Sequence, residues 1–226
     1  MRFRPGPLLA FVSGILVVAL AVLSSGSVQR GMIGADSAEG LYQAIQEFPR
    51  LHYVTWGTYV LFFLVMLGVI AAVREYRRPS DFDWASWVES VAAISLAIGL
   101  LDAFRRLVVL PLQAEAYSAA TSDISREIVA SQRFFLDQWQ YIFSLGIGVW
   151  IIVVSIVLRA SGLIPRSLSI VGIFAGTGSI FRPFESRLVV PLLVEAPDLM
   201  TLFGSATWLI WIGVVMYRSQ TASRTV

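Results

Sequence analysis

Residues 54–73, VTWGTYVLFFLVMLGVIAAV, hold no charged side chain in twenty consecutive positions. As an α-helix this run is about 30 Å long, the thickness of a bilayer's hydrocarbon core. Its apolar residues are continuous and do not alternate, which excludes the strand pattern of an outer-membrane barrel. Working outward, five further apolar runs of comparable character fall at about 8–23, 85–104, 139–158, 167–181 and 201–217. The fifth is short, and Arg182 and Glu185 interrupt the chain before Leu188–Val190 resumes it. The expectation is an all-α, polytopic transmembrane bundle of six spans, with residues 1–226 forming a single integral membrane domain.

Composition supports this reading. Hydrophobic residues make up 57% of the 226 and charged residues 14%, against roughly 45–50% and 25% in soluble domains. With a mean hydropathy of +0.74, too few charges remain to cover a soluble surface. There is no cysteine, which excludes disulfides, thiolate metal sites and cysteine nucleophiles. The single histidine, His52, excludes a multi-histidine metal or haem site, and the absence of lysine excludes Schiff-base chemistry. No metal or other cofactor is expected.

Gly162 reads as the left-handed residue that ends the fourth run, and Pro165 as the first helical residue of the fifth. Arg159–Arg166 is then a tight turn, and Arg74–Trp84 a second short connector. The connectors at about 24–53, 105–138 and 182–200 are longer. If the N-terminus lies inside, the inner segments carry nine arginines against three acids, a net +6, and the outer side a net −3. This asymmetry places both termini in the cytoplasm of a multi-pass protein of the plasma or inner membrane. The basic balance therefore reflects topology, and no nucleic-acid partner is expected. The first run has an alternative as a cleaved signal peptide, with Arg2 and Arg4 ahead of it and Ser25-Gly26-Ser27 behind it. Its length favours retention.

The chain also repeats itself. Arg106-Leu-Val-Val-Leu-Pro-Leu-Gln-Ala-Glu115-Ala116 resembles Arg187-Leu-Val-Val-Pro-Leu-Leu-Val-Glu195-Ala196, each following an odd-numbered run. Arg30 and Glu39 share the Arg106–Glu115 spacing as a fainter third copy. The even runs end alike, in Val73-Arg74, Leu158-Arg159 and Tyr217-Arg218. Three hairpins of the same polarity, a parallel internal repeat, are expected. Each arm is either a segment capping the bundle or one wall of an outward pocket for a lipid or small ligand. Small residues mark two packing faces, Ser169–Gly172–Gly176–Ser179 and Ser86–Ser90–Ala93–Ala97, for use at the bundle centre or between copies.

Intramembrane ionisable residues are the usual carriers of function. Asp102 stands three and four residues before Arg105 and Arg106, and Arg182 pairs in the same way with Glu185. Glu89 has no such partner and is read as reaching the inner interface near Trp84 and Trp87, with a proton or cation site as the alternative. His52, Trp139, Tyr141, Trp208 and Trp211 are read as interfacial aromatic-belt residues. Asp81 and Asp83 are solvated loop acids. No phosphate loop, His-Glu-x-x-His or Gly-x-Ser-x-Gly pattern occurs.

The segment 158–176, LRASGLIPRSLSIVGIFAG, resembles the turn between two late spans in the membrane family called domain of unknown function 4386. The resemblance implies a six-span layout and carries no activity. The expected function is a non-enzymatic bundle: ligand- or lipid-binding, transporter-like, or an accessory subunit. Its candidate ligand residues are Arg105, Arg106, Glu115, Arg182, Arg187 and Glu195, and its partners are membrane lipids, a second copy or a larger complex. The alternative is a membrane-embedded enzyme that uses carboxylates and arginines on an anionic lipid-like substrate.

Overall fold

The computed structural model describes residues 5–31, 37–77, 83–134, 139–182, 184 and 191–222. It is all-helical, with eight helices and no strand among the described residues. They are α1 (Gly6–Gln29), α2 (Ala38–Glu47), α3 (Pro49–Tyr76), α4 (Asp83–Ala119), α5 (Asp123–Phe134), α6 (Trp139–Ala160), α7 (Arg166–Phe181) and α8 (Pro191–Ala222). All six apolar runs lie within helices. Four segments are long and apolar enough to cross a membrane, Gly6–Val28, Pro49–Tyr76, Ile142–Ala160 and Leu199–Thr221, and α7 is a shorter apolar helix.

The six long helices pack as a closed ring in chain order: α1 on α3, α3 on α4, α4 on α6, α6 on α7, α7 on α8, and α8 back on α1. The interior is apolar, from Met66, Val69 and Val73 of α3 to Trp150, Ile151 and Val154 of α6 and Leu209 and Ile212 of α8. The outward faces are apolar too, as in Phe11, Val22, Leu61, Ile94 and Phe174. A helix that is apolar all round belongs in lipid.

Close packing of α7 follows from its small residues. A Cβ on Gly176 would stand 2.5 Å from the Gly148 carbonyl oxygen of α6, and one on Gly204 of α8 would stand 2.9 Å from Ala175. The Trp208 indole lies against Gly172 and meets Trp150 edge-on at 5.8 Å between centroids. The Ser169–Ser179 face is thus spent within the chain. On α4 the expected stripe is displaced, since Ser90 and Ala97 are exposed while Ala85, Ala92, Ser95, Gly99 and Ala103 face inward. Trp208 also departs from expectation. It is 0% exposed and part of the core, because Gly172 leaves room for its ring.

The turn between α6 and α7 forms as the sequence indicates. Gly162 adopts φ +69°, Leu163 N–H donates to Leu158 O at 2.9 Å, and Gly162 N–H donates to Arg159 O at 3.0 Å. Together these close the last turn of α6 in a Schellman motif. Pro165 sits one position earlier than expected, as the N-cap of α7.

The longer connectors are partly helical. Ser37 caps α2 by accepting from Gly40 N–H at 3.1 Å. Leu41, Tyr42 and Ile45 of α2 pack on Leu110 and Ala114 of α4, with Val129 of α5 alongside. This small cluster sits over one end of the ring.

Candidate functional site

The buried charged groups of the ring, Arg77, Glu89 and Asp102 among the described residues, lie at the two ends of the α3–α4 contact. At one end Glu89, 2% exposed, lies on the first turns of α4. Its carboxylate is 3.5 Å from Arg77 Nε and 3.8 Å from Arg74 Nε, both at the end of α3. Arg77 Nη2 also donates to Ser86 Oγ at 2.9 Å. The expectation that Glu89 has no basic partner is therefore corrected, and its carboxylate is buried against α3 where a side chain reaching the inner interface would be exposed. The packing of α3 on α4 sets Arg77 beside the carboxylate with Arg74 exposed at its edge, and burial beside a guanidinium is cheaper than burial alone. Trp84 and Trp87 beside it are exposed.

At the other end, thirteen residues and about 20 Å along α4, Asp102 forms the pair its spacing predicts. Arg105 donates to Oδ1 from Nε at 3.2 Å and from Nη2 at 2.9 Å, while Arg106 Nε donates to Oδ2 at 2.8 Å. The Arg106 guanidinium also lies 4.8 Å from the centroid of the Trp56 ring on α3, a cation–π contact.

His52 completes this end. It is 1% exposed, and its Nε2 lies 2.9 Å from the Arg106 carbonyl oxygen. A carbonyl only accepts, so Nε2 carries the proton and donates. The aromatic-belt reading of His52 is thereby corrected: it ties α3 to α4 from inside. Ser27 of α1 and Thr55 of α3, both buried, share a hydrogen bond of 3.0 Å nearby.

A surface depression of about 440 Å³ opens where α1 ends and α3 begins, lined by Arg30, Glu47, Phe48, Pro49, Arg50 and Leu51. The Arg30 guanidinium stacks 4.3 Å from the Phe48 ring centroid. Glu47 Oε1 accepts from Gln43 Nε2 at 3.0 Å.

A family model, Domain of unknown function (DUF4386), matches residues 12–215. The chain belongs to this family. No curated protein matches it, and no solved structure does. The match runs far beyond the 158–176 turn that suggested it.

In this family member the sequence-derived site residues do not all meet. Arg105, Arg106 and Asp102 converge, and Glu89 lies at the opposite end. Glu115 is exposed on α4, well beyond Arg106 in the sequence, and Arg182 is exposed just past α7. Glu185 and Arg187 lie outside the described residues, as does the side chain of Glu195 near the start of α8. The repeated arms differ in what their prolines do, because Pro111 lies inside α4 whereas Pro191 opens α8. Sequence reasoning missed the Arg74–Arg77–Glu89 contact and the Arg30–Arg50 depression. Both join residues too far apart for helical spacing to link them.

Proposed function

We propose that the chain is a six-span, multi-pass bundle of the plasma or inner membrane, with both termini cytoplasmic, that binds a lipid or other small amphiphile without transforming it. The ring order supports six spans, because α4 and α7 are wedged between helices of spanning length and carry the chain back between them. Three hairpins laid down in sequence would give this order, which agrees with a parallel repeat. The observation that carries the non-enzymatic reading is the disposition of the two buried carboxylates. Glu89 lies against Arg77 and Arg74, and Asp102 is held by Arg105 and Arg106. A general base must reach a proton on substrate, and Asp102 already spends both oxygens on three arginine hydrogen bonds, while Glu89 is closed in behind Arg77 and Ser86. The Glu89 contact joins α4 to α3, and the Asp102 pairs hold two arginines of α4 itself, one of which faces Trp56 of α3.

Native mass spectrometry of gently extracted protein tests the reading. A retained lipid or amphiphile, recovered chemically intact, is the expected result. A retained species converted to a product on incubation would overturn it.

A further inference from the structure

We infer that the depression between the end of α1 and the start of α3 binds a phosphate-type oxyanion, with Arg30 and Arg50 as its cationic partners. This deepens the ligand-binding reading and rests on it. The argument begins with position. The apolar segment of α1 ends at Val28 and the apolar run of α3 begins at Val54, so Arg30 stands two residues and Arg50 four residues from an end of an apolar run. That is the level of lipid headgroups, where phosphate is the prevalent anion.

The walls add chemistry to position. Phe48, Pro49 and Leu51 give an apolar lining, and Arg30 is held over it by its stacking on Phe48. Stacking uses the face of a guanidinium and leaves its N–H edge for oxygens. The acid in the lining, Glu47, takes up the Gln43 amide, and no ion pair within 4.0 Å joins it to Arg30 or Arg50 among the described residues. Two arginines in a largely apolar lining suit a group that is anionic at one side and apolar at the other, and a guanidinium can donate bidentately to phosphate oxygens.

The same chemistry is offered by a phospholipid headgroup and by free phosphate, and one experiment separates them. The whole protein is reconstituted in an equal mixture of phosphatidylglycerol and phosphatidylcholine, then released for native mass spectrometry with and without inorganic phosphate. Wild type is expected to retain phosphatidylglycerol preferentially. Arg30→Gln with Arg50→Gln should lower that preference roughly thirtyfold. Glu47→Gln should raise it, an opposite sign that loss of fold cannot produce. Arg126→Gln, on an exposed site of α5, should leave it unchanged. Displacement by inorganic phosphate identifies a free-phosphate site, and resistance to it a lipid headgroup. Equal retention by wild type and the double variant would overturn this site while leaving ligand binding intact. Retention of neither probe by wild type would overturn both.

Discussion

Asp102 gathers Arg105 and Arg106 of its own helix at one end of the α3–α4 contact. It accepts three hydrogen bonds from two arginines, and one of those arginines also faces Trp56. Asp102→Ala would leave two largely buried guanidiniums without this counter-charge, a change on the order of 3–5 kcal/mol. A marked fall in the thermal midpoint in detergent is expected, and a midpoint within a degree or so of wild type would show the brace to be dispensable. His52→Ala removes one neutral hydrogen bond and should cost less, about 1 kcal/mol for the bond plus the lost ring packing. The Asp102 pair was legible in the sequence because helical spacing sets it. The burial of His52 was not, since its partner is a backbone carbonyl fifty-four residues away.

At the scale of the element, the α6–α7 contact rests on two glycines that face one another. Gly176→Ala would place a methyl against the Gly148 carbonyl, a backbone atom with little room to yield. Overpacking of this kind costs about 1–3 kcal/mol, so the variant should melt earlier and be extracted in lower yield. Gly57→Ala meets nothing within 4 Å and should be neutral or slightly stabilising in the same assay. A neutral Gly176→Ala would mean that α6 and α7 lie further apart than described. The α7 face was readable from its Gly-x-x-x-Gly spacing. The α4 face was misread because two stripes of small residues share one helix. The charges distinguish them, since Glu89, Ala92, Leu96, Gly99 and Ala103 fall at alternating steps of three and four with Asp102 beside them. In lipid, that ionisable stripe must turn inward.

At the scale of the whole molecule, the six long helices close a ring in chain order, and the connectors that follow α1 and α4 carry the helices α2 and α5. The helical character and the six apolar runs could be read directly, because hydropathy and length decide them. The helices α2 and α5 could not, since amphipathic segments in a polar connector lack that signal. The repeat shows the limit of residue matching, for Pro111 and Pro191 share a local motif and differ in place. The central claim is that all six long helices cross the membrane, with the arginine-rich connectors inside. The cysteine-free chain permits single-cysteine labelling in intact cells by a reagent that does not cross the membrane. Ser122→Cys, between α4 and α5, should react from outside, while Ser80→Cys and Ala222→Cys should react only after the membrane is opened. Were α4 not to cross, position 122 would share the protection of position 80. Protection at 122, or reaction at 80 from outside, would contradict the account.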